Sequence, residues 1–598
     1  MSTYEARLAA LREQLKADRL DGFVVPLTDE HMSEYVGSYA QRLAWLTGFQ
    51  GSAGAAVVLP EEAAIFVDGR YTLQVRDQVD GAHWSYQSVP ETSIASWLKL
   101  RAPDGGRIGY DPWLHTKDWV TRAREALSDK GAELVAVRRN PIDAVWADQP
   151  EPSRARLIVH PDSYAGRSSA AKRQEMADWL KAEKADVAVL AALDSIAWTF
   201  NVRGQDVDHT PVALSFALVR DDGTADLFVA SEKIGDDVRQ HLGNGVRVHE
   251  RADFEPALAA LAGKHVAVDP ERSVAAIFEA LESAGAHVIS KRDPSILPKA
   301  IKNEVEISGH RAAQARDGAA LSRFLHWLSV EAPKGGVDEL SAAAGLQGFR
   351  QQSGDLCDLS FDTISGAGAN GAIVHYRVSK ATNRPLEMDS IYLVDSGGQY
   401  PDGTTDVTRT VAIGTPTAEM KDRFTRVLQG HIAVARARFP EGTRGSQLDS
   451  FARQYLWSVG LDYAHGTGHG VGSFLSVHEG PQRISPVGSA QAGGDEPLQA
   501  GMILSNEPGY YKTGEYGIRV ENLVLVVPVA VDGAEKRLLG FETLTFAPID
   551  RNLIEVAMLS AAERAWIDDY HADVLRIVGP QLDGAAKAWL EAQCAPLD

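Results

Sequence analysis

Cysteine, basic residues and long apolar runs are all scarce in this sequence. Only Cys357 and Cys594 occur in 598 residues, which excludes a disulfide framework and a cysteine-rich zinc site. The formal net charge of −21 opposes binding to nucleic acid or to an anionic membrane surface. No run reaches the roughly 18 apolar residues of a membrane helix, and the N-terminus lacks the apolar core of a signal peptide. We therefore expect a cytoplasmic protein without nucleic-acid or membrane partners.

The length of the chain requires several domains, because single hydrophobic cores stop growing at roughly 250–300 residues. An order of helix, strand, aromatic block and strands occurs twice. Its first copy begins with a helix at 3–18 and contains Trp45, and its second begins with a helix at 170–185 and contains Trp198. This similarity predicts a duplicated α/β domain.

Two polar, proline-bearing stretches, 147–157 and 293–307, indicate domain boundaries. Helical periodicity follows from 304 to 327, and strands and helices then alternate to about residue 530. A last helical stretch at about 560–594 indicates an accessory unit. We expect four domains, at residues 1–155, 156–303, 304–528 and 529–598.

The segment IYLVDSGGQYPDGTTDVTRTVAIG, residues 391–414, has two β-rich runs around a Gly/Pro/Asp turn. It predicts a hairpin in which Asp395 ends one strand and Asp406 lies inside the next. Aspartate often bonds the backbone of a turn. Inside a strand it is disfavoured, so Asp406 calls for a partner such as a cation.

Two histidines, His465 and His469, lie in AHGTGHGVG at 464–472. The glycines between them oppose a helix, and the glutamate of a helical HExxH zinc site is missing. We expect a glycine-rich loop that approaches a ligand closely.

Two glutamates follow, Glu507 beside a Pro-Gly turn and Glu521 within the strongly apolar strand predicted by GIRVENLVLV. Glu521 is either a salt-bridge partner, with Arg519 as one candidate, or a metal ligand. The combined set of four carboxylates and one imidazole suits two divalent ions such as Mn²⁺, Co²⁺ or Zn²⁺. Its members are Asp395, Asp406, His469, Glu507 and Glu521.

These motifs jointly resemble the pita-bread metallopeptidase family, which includes methionine aminopeptidase, prolidase, aminopeptidase P and creatinase. The family order Asp, Asp, His, Glu, Glu occurs here in LVDSGGQY, TTDVTRT, HGTGHGVG, NEPGYY and GIRVEN. RLAWLTGFQGSAG and VDGRYTLQV resemble the N-terminal domain of cytosolic aminopeptidase P, and FETLTFAPIDRNLI resembles its C-terminal extension. The resemblance implies an α/β and α+β multidomain fold, with two duplicated N-terminal α/β domains before a pita-bread catalytic domain.

The resemblance also implies roles for individual residues. Asp395 would bind one metal ion, His469 and Glu507 the other, and Asp406 and Glu521 would bridge them, with Mn²⁺ favoured over Zn²⁺ or Co²⁺. The implied catalytic residues are His375, His465, His478 and Glu507.

The same histidines are expected to contact substrate, and Arg42 is expected to do so from the N-terminal domain. His310, His326 and His431 lie in helical patterns and are expected to be surface or packing residues.

The implied activity is that of an Xaa-Pro aminopeptidase, which releases the first residue from peptides with proline in second position, and a homodimer is expected. Prolidase, which cleaves Xaa-Pro dipeptides, is the nearest alternative. A histone-binding relative and a metal-independent creatine hydrolase are disfavoured by the complete ligand set. The small-residue loop at 485–499 could alter substrate access.

Overall fold

Two six-stranded sheets with the same topology form the first of two compact units in the computed structural model, which describes residues 3–89, 91–487 and 495–597. The two units comprise residues 1–296 and 297–598. Numbered within its own domain, each sheet has the spatial strand order 4-3-2-1-5-6. Strand 1 pairs antiparallel with strand 2 and parallel with strand 5 in both copies.

The first sheet contains strands Gly22–Pro26, Ala55–Val58, Ala63–Val67, Ser85–Ser88, Arg107–Tyr110 and Glu133–Ala136. Its helices are Tyr4–Ala17, Arg42–Thr47, Gln74–Gln78, Ile94–Arg101, Lys117–Ser128 and Pro141–Val145. The second sheet contains Val187–Leu190, Phe216–Arg220, Ala225–Phe228, Val246–His249, His265–Val268 and His287–Ser290. Its helices are Asp162–Ala165, Ser169–Glu183, Leu193–Phe200, Asp236–Leu242, Phe254–Ala259 and Ala275–Ala284, and a two-strand ribbon pairs Ile158–Val159 with Val202–Arg203.

The aromatic blocks occupy equivalent helices of the two copies. Trp45 lies on the helix that follows strand 1 of the first sheet and stacks on Trp146 at 5.4 Å. Trp198 lies on the corresponding helix of the second copy, below the ammonium group of Lys172 at 4.2 Å. The predicted duplication is confirmed.

A long helix, Glu304–Glu331, runs through the second unit. It begins at Asn303, whose side chain accepts hydrogen bonds from the backbone of Val305 and Glu306, while the Glu306 carboxylate accepts from the Asn303 N–H. This reciprocal capping satisfies N–H groups that the first turn leaves free. The other helices of the unit are Ile296–Ala300 at its boundary, Glu339–Gln351, Ala418–Ala435, Gly445–Trp457, Ala561–Ile577 and Gly584–Gln593.

The sheets of the second unit are mostly antiparallel, as in the pita-bread fold. The largest has the order Phe439–Pro440, Leu538–Thr543, Asn522–Val529, Ile503–Asn506, Gly468–Gly470 and Glu479–Ile484. One three-stranded sheet is Ile364–Ala367, Ser390–Ser396 and Val407–Ile413, another is Asp358–Leu359, Gly398–Tyr400 and Gly403–Thr404, and Gly509–Lys512 pairs with Tyr516–Arg519. The domain boundaries after residues 155, 303 and 528, which were inferred from the sequence, stay a prediction.

The C-terminal stretch forms two helices rather than the single helical stretch expected at 560–594. The chain breaks near Pro580, which lacks a backbone N–H and lies in a short 3₁₀ turn. Ile567 and Leu590 of the two helices are fully buried in one core cluster with Phe424, which lies in the predicted domain 304–528. Packing against that domain therefore buries the apolar residues of the tail.

Both cysteines are free thiols, Cys357 exposed and Cys594 buried. No helix in the described part of the chain is long and apolar enough to cross a membrane.

Candidate metal centre

Asp395 and Asp406 are brought together by two antiparallel strands. Ser390–Ser396 pairs with Val407–Ile413 so that Ser396 lies opposite Val407. Asp395 is thus the penultimate residue of one strand, and Asp406 directly precedes the other. The predicted hairpin is present, but the placement of Asp406 inside a strand is wrong.

The reason is a smaller hairpin between the two strands. Residues 398–404 pair in a different sheet, and the Thr405 amide still bonds to the Gly398 carbonyl at 2.9 Å. Asp406 therefore lies where the chain passes from one sheet to the other, a position without the strand geometry that aspartate disfavours. Both carboxylates are buried, Asp395 at 7% and Asp406 at 4% exposure.

His469 lies at the centre of a short strand, Gly468–Gly470, and not in the expected loop. The glycines allow close strand packing. A Cβ atom on Gly468 would lie 2.0 Å from the Ser505 carbonyl oxygen, and one on Gly470 would lie 2.3 Å from the Glu479 carbonyl oxygen. The role expected for the glycines, approach to a ligand, is replaced by contact with neighbouring strands.

The imidazole of His469 faces the carboxylates with one defined nitrogen. Its Nδ1 lies 2.9 Å from the Gly470 carbonyl oxygen, which only accepts, so Nδ1 carries the hydrogen. Nε2 then lies 3.4 Å from Asp406 Oδ2 and 3.4 Å from Glu507 Oε1. A neutral imidazole whose Nδ1 carries the hydrogen has a lone pair on Nε2, which suits metal binding.

Glu507 directly follows the strand Ile503–Asn506, as its place beside a Pro-Gly turn suggests. Its N–H donates to the Thr467 carbonyl at 2.8 Å, and its Oε1 accepts from Ser505 Oγ at 3.0 Å. Ser505 Oγ also accepts from the N–H of His469 at 2.9 Å. One serine therefore fixes two candidate ligands relative to each other.

Glu521 lies in a two-residue break between the strands Tyr516–Arg519 and Asn522–Val529, and not within one strand as predicted. The break aims its carboxylate at the other acidic residues, and Thr408 Oγ1 donates to Oε2 at 2.8 Å. Glu521 is 1% exposed. Arg519, the partner considered from the sequence, is paired with Asp395 instead, at 2.6 Å.

Burial and mutual repulsion raise the pKa of three carboxyl groups at this site. Ligand atoms of Asp406, His469 and Glu521 all lie within 4.8 Å of one another. Burial, and then the charge of Asp395, raises the pKa of Asp406 well above its usual range. Burial, and then the charge of Asp406, does the same to the pKa of Glu521. The pKa of Glu507 is also raised by burial, against the attraction of His469.

The donor set fits divalent cations. Asp395 Oδ1 is buried and has no hydrogen-bond partner among the described residues. A buried carboxylate oxygen without a partner is costly unless a cation binds it. Four carboxylates around one imidazole make an oxygen-rich site of the kind that Mn²⁺ and related ions accept.

The sequence did not predict that Arg519 pairs with the candidate ligand Asp395. Its guanidinium donates from Nη2 to Asp395, from Nε to Thr408 Oγ1 at 3.1 Å, and from Nη1 to Tyr511 OH at 2.6 Å. It is 1% exposed, and nearby acidic groups raise its pKa despite the burial. A charged residue in an apolar strand was the available signal.

Two of the three predicted substrate histidines lie beside the candidate ligands. The His478 ring is 4.4 Å from the His469 ring in an edge-to-face arrangement. His465 Nε2 lies 2.8 Å from Tyr511 OH, which connects it through Arg519 to Asp395.

His375 lies in a turn after the 3₁₀ helix Gly368–Ala372 and is half-buried. This helix packs closely on the strand of Arg519, because a Cβ atom on Gly517 would lie 1.7 Å from the Gly371 carbonyl oxygen. The segment of His375 is therefore fixed to the strand that carries the guanidinium.

Arg42 is buried in the first unit, where Asp143 holds its guanidinium at 2.7 and 2.9 Å. Its substrate contact stays a prediction. His310 and His431 are fully buried and His326 is half-buried, which agrees with packing roles. Burial and then Arg409 lower the pKa of His431 to about 3. Of the 485–499 loop, residues 488–494 lie outside the described part of the chain.

Four family models match the chain in succession. Residues 7–144 and 148–306 each match a creatinase/prolidase N-terminal domain. Residues 308–528 match metallopeptidase family M24, and residues 537–597 match the C-terminal region of the same peptidases. The residues discussed above as candidate ligands all lie in the M24 match.

Individual relatives match over nearly the whole length. A probable Xaa-Pro aminopeptidase P of Laccaria bicolor is 41% identical and covers 99% of this chain and 93% of its own. Aminopeptidase P2 of Arabidopsis thaliana is 39% identical, covering 97% and 86%. X-prolyl aminopeptidase of Caenorhabditis elegans, described as a cytosolic enzyme with a di-nuclear active site, superposes with a TM-score of 0.94 at 33% identity and full coverage of both chains. This chain belongs to the Xaa-Pro aminopeptidase P family, within the M24 metallopeptidases.

Proposed function

We propose that this protein is an Xaa-Pro aminopeptidase that releases the first residue from peptides with proline in second position. One observation carries the proposal. Three buried carboxylates, one partly buried carboxylate and one buried imidazole lie in a chain related over its full length to aminopeptidases P, and one Asp395 oxygen has no hydrogen-bond partner among the described residues. Such a group requires cations, and these relatives are metallopeptidases.

The proposed assignment of ligands follows the resemblance to the family. Asp395 would hold one divalent ion, His469 and Glu507 the other, and Asp406 and Glu521 would bridge the two. Mn²⁺ is the proposed metal, with Zn²⁺ and Co²⁺ as alternatives for the same oxygen-rich set. When bound, two such ions polarise a scissile carbonyl and activate water.

The protein groups supply proton transfer and orientation. Glu507 is the proposed proton carrier to the leaving proline nitrogen, and Ser505 Oγ fixes its Oε1 at 3.0 Å. His375 and His478 would donate hydrogen bonds to the developing oxyanion. His465, held by Tyr511, would contact the substrate, as would Arg42.

A dedicated peptidase is needed because the bond to proline is unusual. Proline has no backbone N–H, and the bond before it has a substantial cis population. Peptidases that read this N–H or require an ordinary backbone path therefore fail on such peptides. A site that acts through the free α-amine and the scissile carbonyl avoids both requirements.

A cytoplasmic location and a homodimer complete the proposal. The Caenorhabditis elegans relative is described as cytosolic, and the scarcity of cysteine agrees with a reducing compartment. Three large apolar residues are exposed on or just beyond one helix, namely Phe451, Trp457 and Val459. Exposed apolar groups of this kind favour association. Light scattering of the wild type should give twice the chain mass, and Phe451→Glu should shift it toward one; a wild-type monomer would contradict this part.

The activity is tested with metal-stripped protein reloaded with Mn²⁺. Release of the first residue is compared for an Xaa-Pro-Yaa tripeptide, an Xaa-Pro dipeptide and an Xaa-Ala-Yaa control, with Asp406→Ala alongside. We expect tripeptide cleavage that the variant loses. Preference for the dipeptide would indicate a prolidase, and no cleavage with Mn²⁺, Zn²⁺ or Co²⁺ would indicate a binding protein.

A further inference from the structure

A long loop carries His375. Residues 368–389 connect the strands Ile364–Ala367 and Ser390–Ser396 and contain a single 3₁₀ turn as regular structure. Loops longer than about 12–15 residues are uncommon in compact domains and usually functional. A histidine on such a loop needs a fixed support if it is to donate a hydrogen bond at a defined point.

One buried carboxylate, that of Glu339, binds this loop at its start, middle and end. Glu339 is 0% exposed and begins the helix Glu339–Gln351. Its Oε1 accepts from the Ala367 N–H at 2.7 Å and from Asn370 Nδ2 at 2.9 Å. Its Oε2 accepts from Tyr376 OH at 2.9 Å and from the Arg384 N–H at 3.0 Å.

The backbone of Glu339 adds two contacts to the same elements. Its carbonyl accepts from Ser365 Oγ at 2.7 Å, and its N–H donates to the Arg384 carbonyl at 3.0 Å. The carboxylate bonds are charge-assisted and lie in a buried setting, where hydrogen bonds to an ionised group are the strong ones. The loop is thus pinned to the start of one helix.

Tyr376 transmits this support to its neighbour His375. A backbone bond from the Tyr376 N–H to the Ile373 carbonyl, at 3.0 Å, closes the turn that contains His375. The Tyr376 ring is 4% exposed and packs in one cluster with Ile364 and Leu393. Ile364 is the cross-strand neighbour of Asp395. Glu339 shares the Tyr376 hydroxyl with Asn370, which donates to it at 2.8 Å, and with Thr382 Oγ1 at 2.9 Å. The residue after His375 is therefore held at its hydroxyl by a network that includes Glu339, and at its ring by the strands of a candidate ligand.

We propose that Glu339 is a positioning residue for the peptidase reaction, acting through Tyr376 to hold His375 toward the substrate. This inference rests on the proposed function, because His375 is assigned there as a substrate-facing donor. Glu339 does not contact the reacting atoms in this scheme. It determines where a residue that does contact them is placed.

Two substitutions of different severity test the proposal, with one control. Glu339→Gln keeps the side-chain shape but replaces an acceptor oxygen with an NH₂ donor, and Tyr376→Phe removes only the hydroxyl. The control is Ser379→Ala, which removes a hydrogen bond to Thr382 in the same loop without touching Glu339.

The first measurement does not require catalysis. Hydrogen exchange of residues 368–389, followed by mass spectrometry, should be faster in Glu339→Gln and Tyr376→Phe than in the wild type, and unchanged in Ser379→Ala. Unchanged exchange in both test variants would overturn the proposal. This result is independent of whether the protein cleaves Xaa-Pro peptides, so it separates a failed support role from a failed function.

The second measurement is a double-mutant cycle with His375→Ala on tripeptide cleavage. We expect kcat to fall by roughly 10–100-fold in Glu339→Gln, the range seen when support of an active group is lost, with Mn²⁺ affinity within about threefold of the wild type. In the His375→Ala background the same change should cost less than about threefold, because the two residues act as one unit. If the kcat losses of the two single variants multiply in the double variant, or if Mn²⁺ affinity falls together with kcat, then Glu339 has a general structural role instead.

Discussion

Two buried groups of charged residues in the second unit are built in opposite ways. Glu479 is 1% exposed and is paired with two buried lysines, Lys299 at 2.9 Å and Lys302. Lys302 Nζ also donates to the Lys299 carbonyl at 2.8 Å. In the candidate metal centre, by contrast, four carboxylates face the guanidinium of Arg519 and the imidazole of His469, while His478 and Arg350 also attract Asp406.

The difference indicates which charges belong to the fold and which to function. Buried charges are tolerated when they are paired and hydrogen-bonded. The Glu479 group is paired within the chain itself, because Lys302 donates to Oε1 and the Lys299 ammonium lies 2.9 Å from Oε2. The metal centre does not meet this condition, because repulsion from neighbouring carboxylates raises the pKa of Asp406 and Glu521 beyond the effect of burial. A shortage of protein cations marks the place where external cations are required.

The largest effect is expected from Glu507→Gln, which removes the proposed proton carrier from the candidate metal centre. We expect kcat for a tripeptide to fall by about 10²–10⁴-fold, the usual contribution of a positioned acid–base group, with the fold retained. Steady-state kinetics and circular dichroism measure both. Glu419→Gln, which removes an exposed carboxylate, is the matched control, and a loss below tenfold would refute the proton-transfer role.

Glu479→Gln tests the buried group in which one carboxylate is paired with two lysines. It leaves two buried ammonium groups without an anion, and removing one partner of a buried ion pair costs about 3–5 kcal/mol. We expect a lower melting transition of the catalytic half by calorimetry. The control Glu331→Gln removes the partner of Lys334 in a surface ion pair whose side chains are 38% and 59% exposed, where such pairs contribute about 0–1 kcal/mol. Equal effects of the two changes would mean that the buried group does not stabilise the fold.

Arg519→Lys probes the guanidinium that is paired with Asp395 in the metal centre. Lysine keeps the charge but cannot reach Asp395, Thr408 and Tyr511 together, since it lacks the planar fork. We expect a decrease of about 10–100-fold in Mn²⁺ affinity or activity, as for other groups that orient ligands. A metal titration by calorimetry gives the affinity, and wild-type values would show that Asp395 needs no such support.

The smallest effect concerns the metal-free protein. The pKa of Asp406 is higher in the folded state than in the unfolded state. The folded protein therefore loses stability as the pH rises from the unfolded-state pKa through the folded-state pKa, because the buried carboxyl group must then ionise. Asp406→Asn removes the penalty, about 1.4 kcal/mol for each unit of pKa shift. The variant should therefore gain more in melting temperature at pH 7.5 than at pH 5. A gain that does not depend on pH would contradict the assignment.

Periodicity in the sequence was sufficient for the elements but not for their ends. The duplicated sheets and the long helix from Glu304 follow from apolar spacing and a capping box, which are local signals. Asp406 and Glu521 were expected inside strands and lie at breaks between them. Where a strand stops depends on partners distant in sequence, such as the Glu521 N–H bonding to the Thr408 carbonyl at 3.2 Å.

The candidate ligands could be identified from residue type and order, whereas their support could not. Arg519 was considered as a partner of Glu521 but pairs with Asp395 across strands. Glu339 begins a helix, where an acidic residue is ordinary because it favours the helix dipole, so nothing local distinguishes it. Both roles arise from tertiary contacts between segments that are far apart along the chain.

The unequal exposure of the two thiols makes the native protein suitable for selective labelling. Cys594 is 4% exposed, whereas Cys357 is accessible and its N–H bonds to the Gln399 carbonyl at 2.9 Å. Burial of part of the group, and then Asp355, raise the pKa of the Cys357 thiol, so a maleimide reagent will react faster at mildly alkaline pH. A fluorophore placed there, on a residue that is hydrogen-bonded to the segment that follows the Asp395 strand, should report the arrival of metal or peptide without any engineered cysteine.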